Sequence, residues 1–226
     1  MLPIWDWTII ILIPVFILSL IAQITVKSTF EKYSRKKSSL GENGASFARR
    51  ILDSNGLFDV QVEHVRGMLS DHYDPSNKVL RLSDSTYNSY SVAALGVVAH
   101  EAGHAVQHEK GYKPLVLRNL AVPMANFGSN LSWLIFIVGL FMSSSVLLNA
   151  GIFLFSFVVL FTLITLPVEF DASHRAIKML PGMGMMTDEV TDVKKVLSAA
   201  ALTYVASAFT AIAQLLRMLL IAGRRD

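Results

Sequence analysis

Between Arg118 and Glu169 the chain runs for fifty residues without a single Asp, Glu, Lys or Arg. No soluble core helix stays uncharged that far, and a bilayer asks for about 20 apolar residues per helical span. The stretch therefore holds two spans, read as Asn126–Ser144 and Gly151–Leu166. Ser143-Ser144-Ser145 and Asn149-Ala150-Gly151 are read as the tight turn between them. Two further uncharged runs belong to the same class. Trp7–Val26 reads as a first span, with Trp5 and Trp7 at the depth where interfacial aromatics anchor helices. Its long apolar core and the poor cleavage site at Gln23-Ile24-Thr25 argue for a retained helix over a removed leader. Val196–Leu216 reads as a fourth, and Ala199, Ala200, Ala201, Ala206, Ser207 and Ala208 suit close packing in a bundle. A charged fraction of 16% in 226 residues, against about 25% in soluble domains, agrees.

Charge sets the expected orientation. Lys27–Arg50 carries seven basic residues against Glu31 and Glu42, which places it in the cytoplasm by the positive-inside rule. The two central spans then cross out and back and return Glu169 to the cytoplasmic side. A fourth crossing would leave Arg224 and Arg225 outside, against the rule, and the bias of the first loop is taken to prevail. Arg35-Lys36-Lys37 is read as lying against anionic headgroups, with no nucleic-acid role.

The polar residues, 27–118 and 169–195, read as one small cytoplasmic α+β part of a single membrane domain. Ala45–Asn55 is an amphipathic helix stopped by Gly56, and Ser91–His108 is a second helix. Val60–Val65 and Val79–Leu82 are short strands joined as a hairpin through Asp74-Pro75-Ser76-Asn77. Pro181-Gly182-Met183-Gly184 breaks the second polar segment. The fold class is mainly α: multi-pass membrane helices with a small zincin-like α+β part.

The second helix carries the chemistry. His100-Glu101-Ala102-Gly103-His104 is an HExxH motif, and residues four apart share a helical face about 6 Å apart. Two imidazoles so placed can meet one zinc ion, with the intervening carboxylate beside it as a general base. With no cysteine in the chain, every ligand must be His, Asp or Glu. His108 lies about 12 Å along the axis from His100, too far for a common ion, and reads as a surface or supporting residue. The metzincin extension needs Gly at position 107 and His at 110, where this chain has Gln107 and Lys110. A carboxylate from a later helix remains. Glu169, just after Pro167, leads, with Asp171 and His174 as other possible ligands. Glu109 lies on the wrong part of the motif helix, and Asp188, Glu189 and Asp192 read as solvated first-turn residues of the last helix.

The chain resembles a bacterial family of membrane-embedded neutral zinc metallopeptidases typified by YugP. The resembling pieces are Leu69–Pro75, Ala99–His104, Leu166–Ser173 and Ala200–Ala206, spread over nearly the whole length. The resemblance implies multi-pass topology, zinc, peptidase chemistry and Glu169 as third ligand. The site is also similar to that of HtpX and CAAX-type membrane proteases, in which an aspartate stands four residues beyond the ligand glutamate. Here that position is Ser173 and the aspartate is Asp171, which puts its supporting role in question.

The function expected is peptide hydrolysis in the cytoplasmic membrane by one Zn2+ per chain, held by His100, His104 and Glu169, with Glu101 as general base and then acid. His174, Arg175 and Tyr204 are the candidate oxyanion donors. The partners expected are a polypeptide substrate, drawn from soluble or membrane proteins, and the bilayer. An extended substrate is expected to pair with Lys78–Ser83 as an edge strand, and Met183-Gly184-Met185-Met186 is a candidate lid. Two rivals are a scaffold stabilised by zinc without catalysis and a zinc hydrolase acting on a non-peptide bond.

Overall fold

The computed structural model of the chain describes residues 7–223; Trp5, Arg224 and Arg225 lie outside them. After a 3-10 turn at Trp7–Ile11 come helices α1 (Leu12–Ser34) and α2 (Gly44–Ser54). Strands β1 (Gln61–Val65), β2 (His72–Asp74) and β3 (Val79–Ser83) follow. Helices α3 (Val92–Glu109), α4 (Lys113–Met142), α5 (Ser145–Met179) and α6 (Thr187–Ala222) complete the order. Among the described residues four helical stretches are long and apolar enough to cross a membrane: Trp7–Ser34, Lys113–Met142, Ser145–Met183 and Thr187–Ala222. The chain is mainly α with a small α+β part. It divides into two compact units, one made of Ile24–Leu115 and Val168–Leu202, the other of the remaining residues.

In the first unit, local sequence explains where elements begin and end. Asn43 caps α2 by accepting the Ser46 N–H at 2.9 Å, and Gly56 leaves it at φ +75°, where a side chain would be strained. Arg49 closes the loop that follows, donating to the carbonyls of Leu57 at 2.7 Å and Val60 at 2.5 Å. The sheet order is β1-β3-β2. The hairpin is therefore β2–β3, antiparallel, and β1 adds to β3 in parallel. This corrects both the expected hairpin and the expected edge: β3 is the central strand. Arg81 on β3 ties the sheet together, reaching Glu63 on β1 at 3.1 Å and Asp74 on β2 at 2.8 Å. Asp74 also holds the turn, accepting Ser76 N–H at 3.0 Å and Asn77 Nδ2 at 2.8 Å. Hydrogen bonds from Asn77 and Arg81 keep its carboxyl well below the usual range.

Ser91 caps α3, accepting the Ala94 N–H at 3.2 Å. Leu80, Leu82, Phe47, Ile51, Leu95 and Leu180 pack into one buried core beneath it. The Met-rich stretch contributes to that core: Met185 is buried in it and Met183 packs against it, so the segment fills apolar space and is no free lid. Glu189 corrects another expectation. It is only 3% exposed, accepts Ser39 N–H at 2.7 Å and Ser39 Oγ at 2.9 Å, and so anchors the loop after α1. Lys36 pairs with Asp188 at 2.9 Å and Asp192 at 2.8 Å, which spends it on the first turns of α6.

Gly103 decides how closely α3 meets α5. A Cβ there would stand 2.6 Å from the carbonyl oxygen of Ala172, a backbone atom that cannot swing aside. Gly103→Ala is expected to cost about 1–3 kcal/mol, the usual range for overpacking. Gly182→Ala, with nothing within 4 Å of the added carbon, is the control that should unfold like the parent. Equal melting temperatures for both would show that the helices part at no cost.

The second unit holds the remaining lengths of α1, α4, α5 and α6. Its core is Phe136, Leu140, Leu148, Phe155, Val159 and Met218. Phe16, Ile17, Leu120, Phe127, Phe153 and Phe209 are exposed instead, an apolar outer surface suited to lipid. The turn between α4 and α5 is shorter than expected, with Ser143 at φ +50°, and Asn149-Ala150-Gly151 is helical. Gly151 is needed inside α5 because its Cβ would stand 2.9 Å from the carbonyl oxygen of Ser132 on α4.

Candidate metal centre

α3 and α5 bring the site together. His100 and His104 lie one turn apart on α3, their rings edge-to-face with centroids 4.8 Å apart. α5 continues through Pro167 and presents Glu169 to both. Glu169 Oε2 lies 3.2 Å from His100 Nε2 and 3.5 Å from His104 Nε2. One ligand atom from each of the three falls within 4.8 Å of the others. Glu169 is 3% exposed, and among the described residues no lysine or arginine reaches its carboxylate. Two imidazole nitrogens and one carboxylate oxygen converging in a buried place are a donor set that fits a divalent ion such as zinc. Burial works against the charged form of His104, but Glu169 and Glu101 beside it prevail and raise its pKa above the ordinary histidine value.

The outward nitrogens of both rings are also held. His104 Nδ1 donates to Gln107 Oε1 at 3.0 Å, and His100 Nδ1 lies 3.1 Å from the Ser173 hydroxyl. These contacts leave each Nε2 turned toward Glu169, the arrangement that metal-binding histidines need. Gln107 is itself pinned, its Nε2 donating to Val168 O at 2.8 Å and to Asp171 Oδ2 at 2.8 Å. Asp171 is held in turn by Arg175 at 2.5 Å, whose guanidinium lies over the Tyr112 ring. Asp171 thus reaches a histidine only through Gln107, and the serine that replaces the expected aspartate touches the other histidine directly. Neither Gln107 nor Ser173 stood out in the sequence as a site residue. The available signal was spacing: Gln107 is one turn beyond His104, and Ser173 one turn beyond Glu169.

Glu101, 8% exposed, accepts the main-chain N–H of Tyr73 at 3.0 Å. That contact fastens the carboxylate to β2. Tyr73 makes a second bond to α3, its hydroxyl lying 2.9 Å from His108 Nδ1. Burial, with Asp59, Glu109 and Asp74 nearby, pushes the Tyr73 phenol up to about 12, so it keeps its proton. His108 therefore pairs with Tyr73 and stands apart from the cluster. Among the other residues read from the sequence, Asp171 and His174 are not part of the cluster; His174 is exposed, lining a groove with Lys110, Arg175 and Lys178. Tyr204 falls in the other unit.

Membrane-length helices and a pair of histidines joined by a buried carboxylate define a membrane protein with a candidate metal centre. The chain belongs to the family described as "Putative neutral zinc metallopeptidase", whose model matches residues 8–223. It is 52% identical over 205 residues to a Bacillus subtilis (strain 168) protein named "Putative membrane protease YugP", covering 90% of this chain and 91% of that one. No solved structure matches.

Proposed function

We propose that the chain is a zinc-dependent endopeptidase of the cytoplasmic membrane whose site faces the cytoplasm. One observation carries the reading: the three ligand atoms converge while Glu101, the residue between them in sequence, is excluded from the cluster and fastened beside it by Tyr73. His100, His104 and Glu169 would hold one ion. When bound, zinc supplies a Lewis acid for the scissile carbonyl and makes a water acidic enough to attack at neutral pH. Glu101 takes the proton of the attacking water and delivers it to the leaving amine, while Gln107 and Ser173 keep the two imidazoles in register. A site that only stabilised the fold would have no use for an anchored, unligated carboxylate. The basic segment between residues 27 and 50 supports the cytoplasmic placement.

Substrate pairing moves from β3 to β2. The central strand has partners on both sides, whereas β2 pairs with β3 alone and lies at the sheet edge, where its Tyr73 N–H is held by Glu101. An extended peptide added there by main-chain hydrogen bonds would come beside the general base.

The test is hydrolysis of an unfolded protein such as casein by the purified full chain in detergent, with metal measured in parallel. Bound zinc with turnover abolished by a chelator is the expected result. Bound zinc without turnover on any polypeptide would favour the scaffold, and turnover of an ester or amide alone the non-peptide hydrolase. Metal removal should also lower thermal stability, because zinc at 100 times its Kd adds about 2.7 kcal/mol to the folded state. An unchanged melting temperature after chelation would place no ion in the folded protein.

A further inference from the structure

Lys110, at the end of α3, and His174, Arg175 and Lys178 of α5 line one groove of about 330 Å³ in the unit that holds the candidate centre. Helical periodicity gathers the three α5 groups within about one turn, and Gly103 lets α3 run close enough for Lys110 to join them. Elsewhere in that unit Lys36, Arg49, Arg50, Lys78 and Arg81 are each spent on a carboxylate within 3.1 Å. Lys110 and Lys178 have no such partner among the described residues. The carboxylate in the lining, Asp171, is already bound by Arg175 at 2.5 Å and by Gln107 at 2.8 Å. Glu109 neighbours Lys110 in sequence but acts on Tyr73 and Lys78, on the sheet side of α3. Three fixed cations thus share one carboxylate, and the groove keeps an excess of positive charge.

Chemistry and place together select the ligand. A guanidinium fork flanked by two ammonium groups suits the oxygens of a phosphate. The Arg175 guanidinium lies over the Tyr112 ring, and Val106 and Met179 give the groove an apolar wall that a free anion would not need. Along α5, Arg175 stands seven residues, about 10 Å, beyond Val168, the last residue of the uncharged run. Lys110 lies eight residues before Arg118, where that run begins. Basic side chains so placed reach the headgroup layer while their stems cover apolar surface. We propose that this groove binds the phosphate of an anionic phospholipid headgroup. The inference does not rest on the hydrolytic reading, because the groove meets the candidate centre through Asp171 and Gln107, behind His104.

Lys110→Gln combined with Lys178→Gln removes both unpaired charges and leaves Arg175 on Asp171. The full chain would be melted in dodecyl maltoside micelles with rising mole fractions of dioleoyl phosphatidylglycerol, and dioleoyl phosphatidylcholine as the reference lipid. The parent is expected to melt higher with phosphatidylglycerol than with phosphatidylcholine. The double variant should need at least about tenfold more phosphatidylglycerol for half the rise, since each lysine near an anionic surface is worth about fivefold. Arg66→Gln with Lys194→Gln, exposed charges elsewhere in the same unit, should titrate like the parent. No rise in the parent, an unchanged half-point in the groove variant, or an equal shift in the control variant would overturn the proposal. So would an equal rise from inorganic phosphate or from a hexaglutamate peptide, which would make the groove a site for free anions or for acidic segments of protein.

Discussion

Glu101→Gln is expected to leave zinc binding within about twofold of the parent and to lower kcat on an unfolded protein by about 10²–10⁴-fold, the usual worth of a general acid–base group. The substitution keeps the shape of the side chain. Its carbonyl oxygen can still accept the Tyr73 N–H that Glu101 accepts at 3.0 Å, so β2 and α3 stay joined. What disappears is a group able to take a proton. Because Glu101 lies outside the convergent trio, metal content should not follow activity down. KM should change little, since the carboxylate is asked to act only as the bond to water forms and the amide breaks. Activity kept within a few-fold of the parent would remove Glu101 from its role; metal lost along with activity would make it a ligand.

Glu169→Gln should produce the opposite dissociation. Zinc affinity is expected to fall by at least about 100-fold, since even the groups behind metal ligands are worth about 10–100-fold. The amide matches the carboxylate in volume, so α5 can keep its place against α3. The variant loses the negative charge that stands 3.2 Å and 3.5 Å from the two imidazoles, and with it the only carboxylate in the cluster. Zinc titration of the metal-stripped protein reads the effect directly, and circular dichroism checks that the helices remain. Binding at the parental affinity would show that the third ligand is another residue. Activity should fall with occupancy here and recover in part at high zinc, which separates this loss from the one at Glu101.

The parts of the protein that were legible beforehand are those encoded within one or two helical turns. Uncharged runs announce the membrane-length helices. Asn43 and Ser91 mark helix starts, and the four-residue spacing puts His100 and His104 on one face whatever surrounds them. Where reading faltered, the missing quantity was a packing partner. Val79–Ser83 looks the same as an edge or a central strand until β1 arrives in parallel. Glu189 sits among acidic residues that suggest solvent, and only the approach of Ser38 and Ser39 buries it. Asn149-Ala150-Gly151 has the composition of a turn but lies inside α5, where Gly151 leaves room for Ser132 and Phe136 of α4.

The candidate centre divides along the same line. The order of residues alone determined the histidine pair, the carboxylate between them, and the absence of any thiolate. Tertiary structure decided that Glu169 reaches both imidazoles, that Gln107 and Ser173 hold their far nitrogens, and that Tyr73 carries Glu101. The physical reason is one of range. Helical periodicity fixes neighbours three and four residues apart, whereas a contact across 69 residues exists only once Gly103 has let α5 settle against α3.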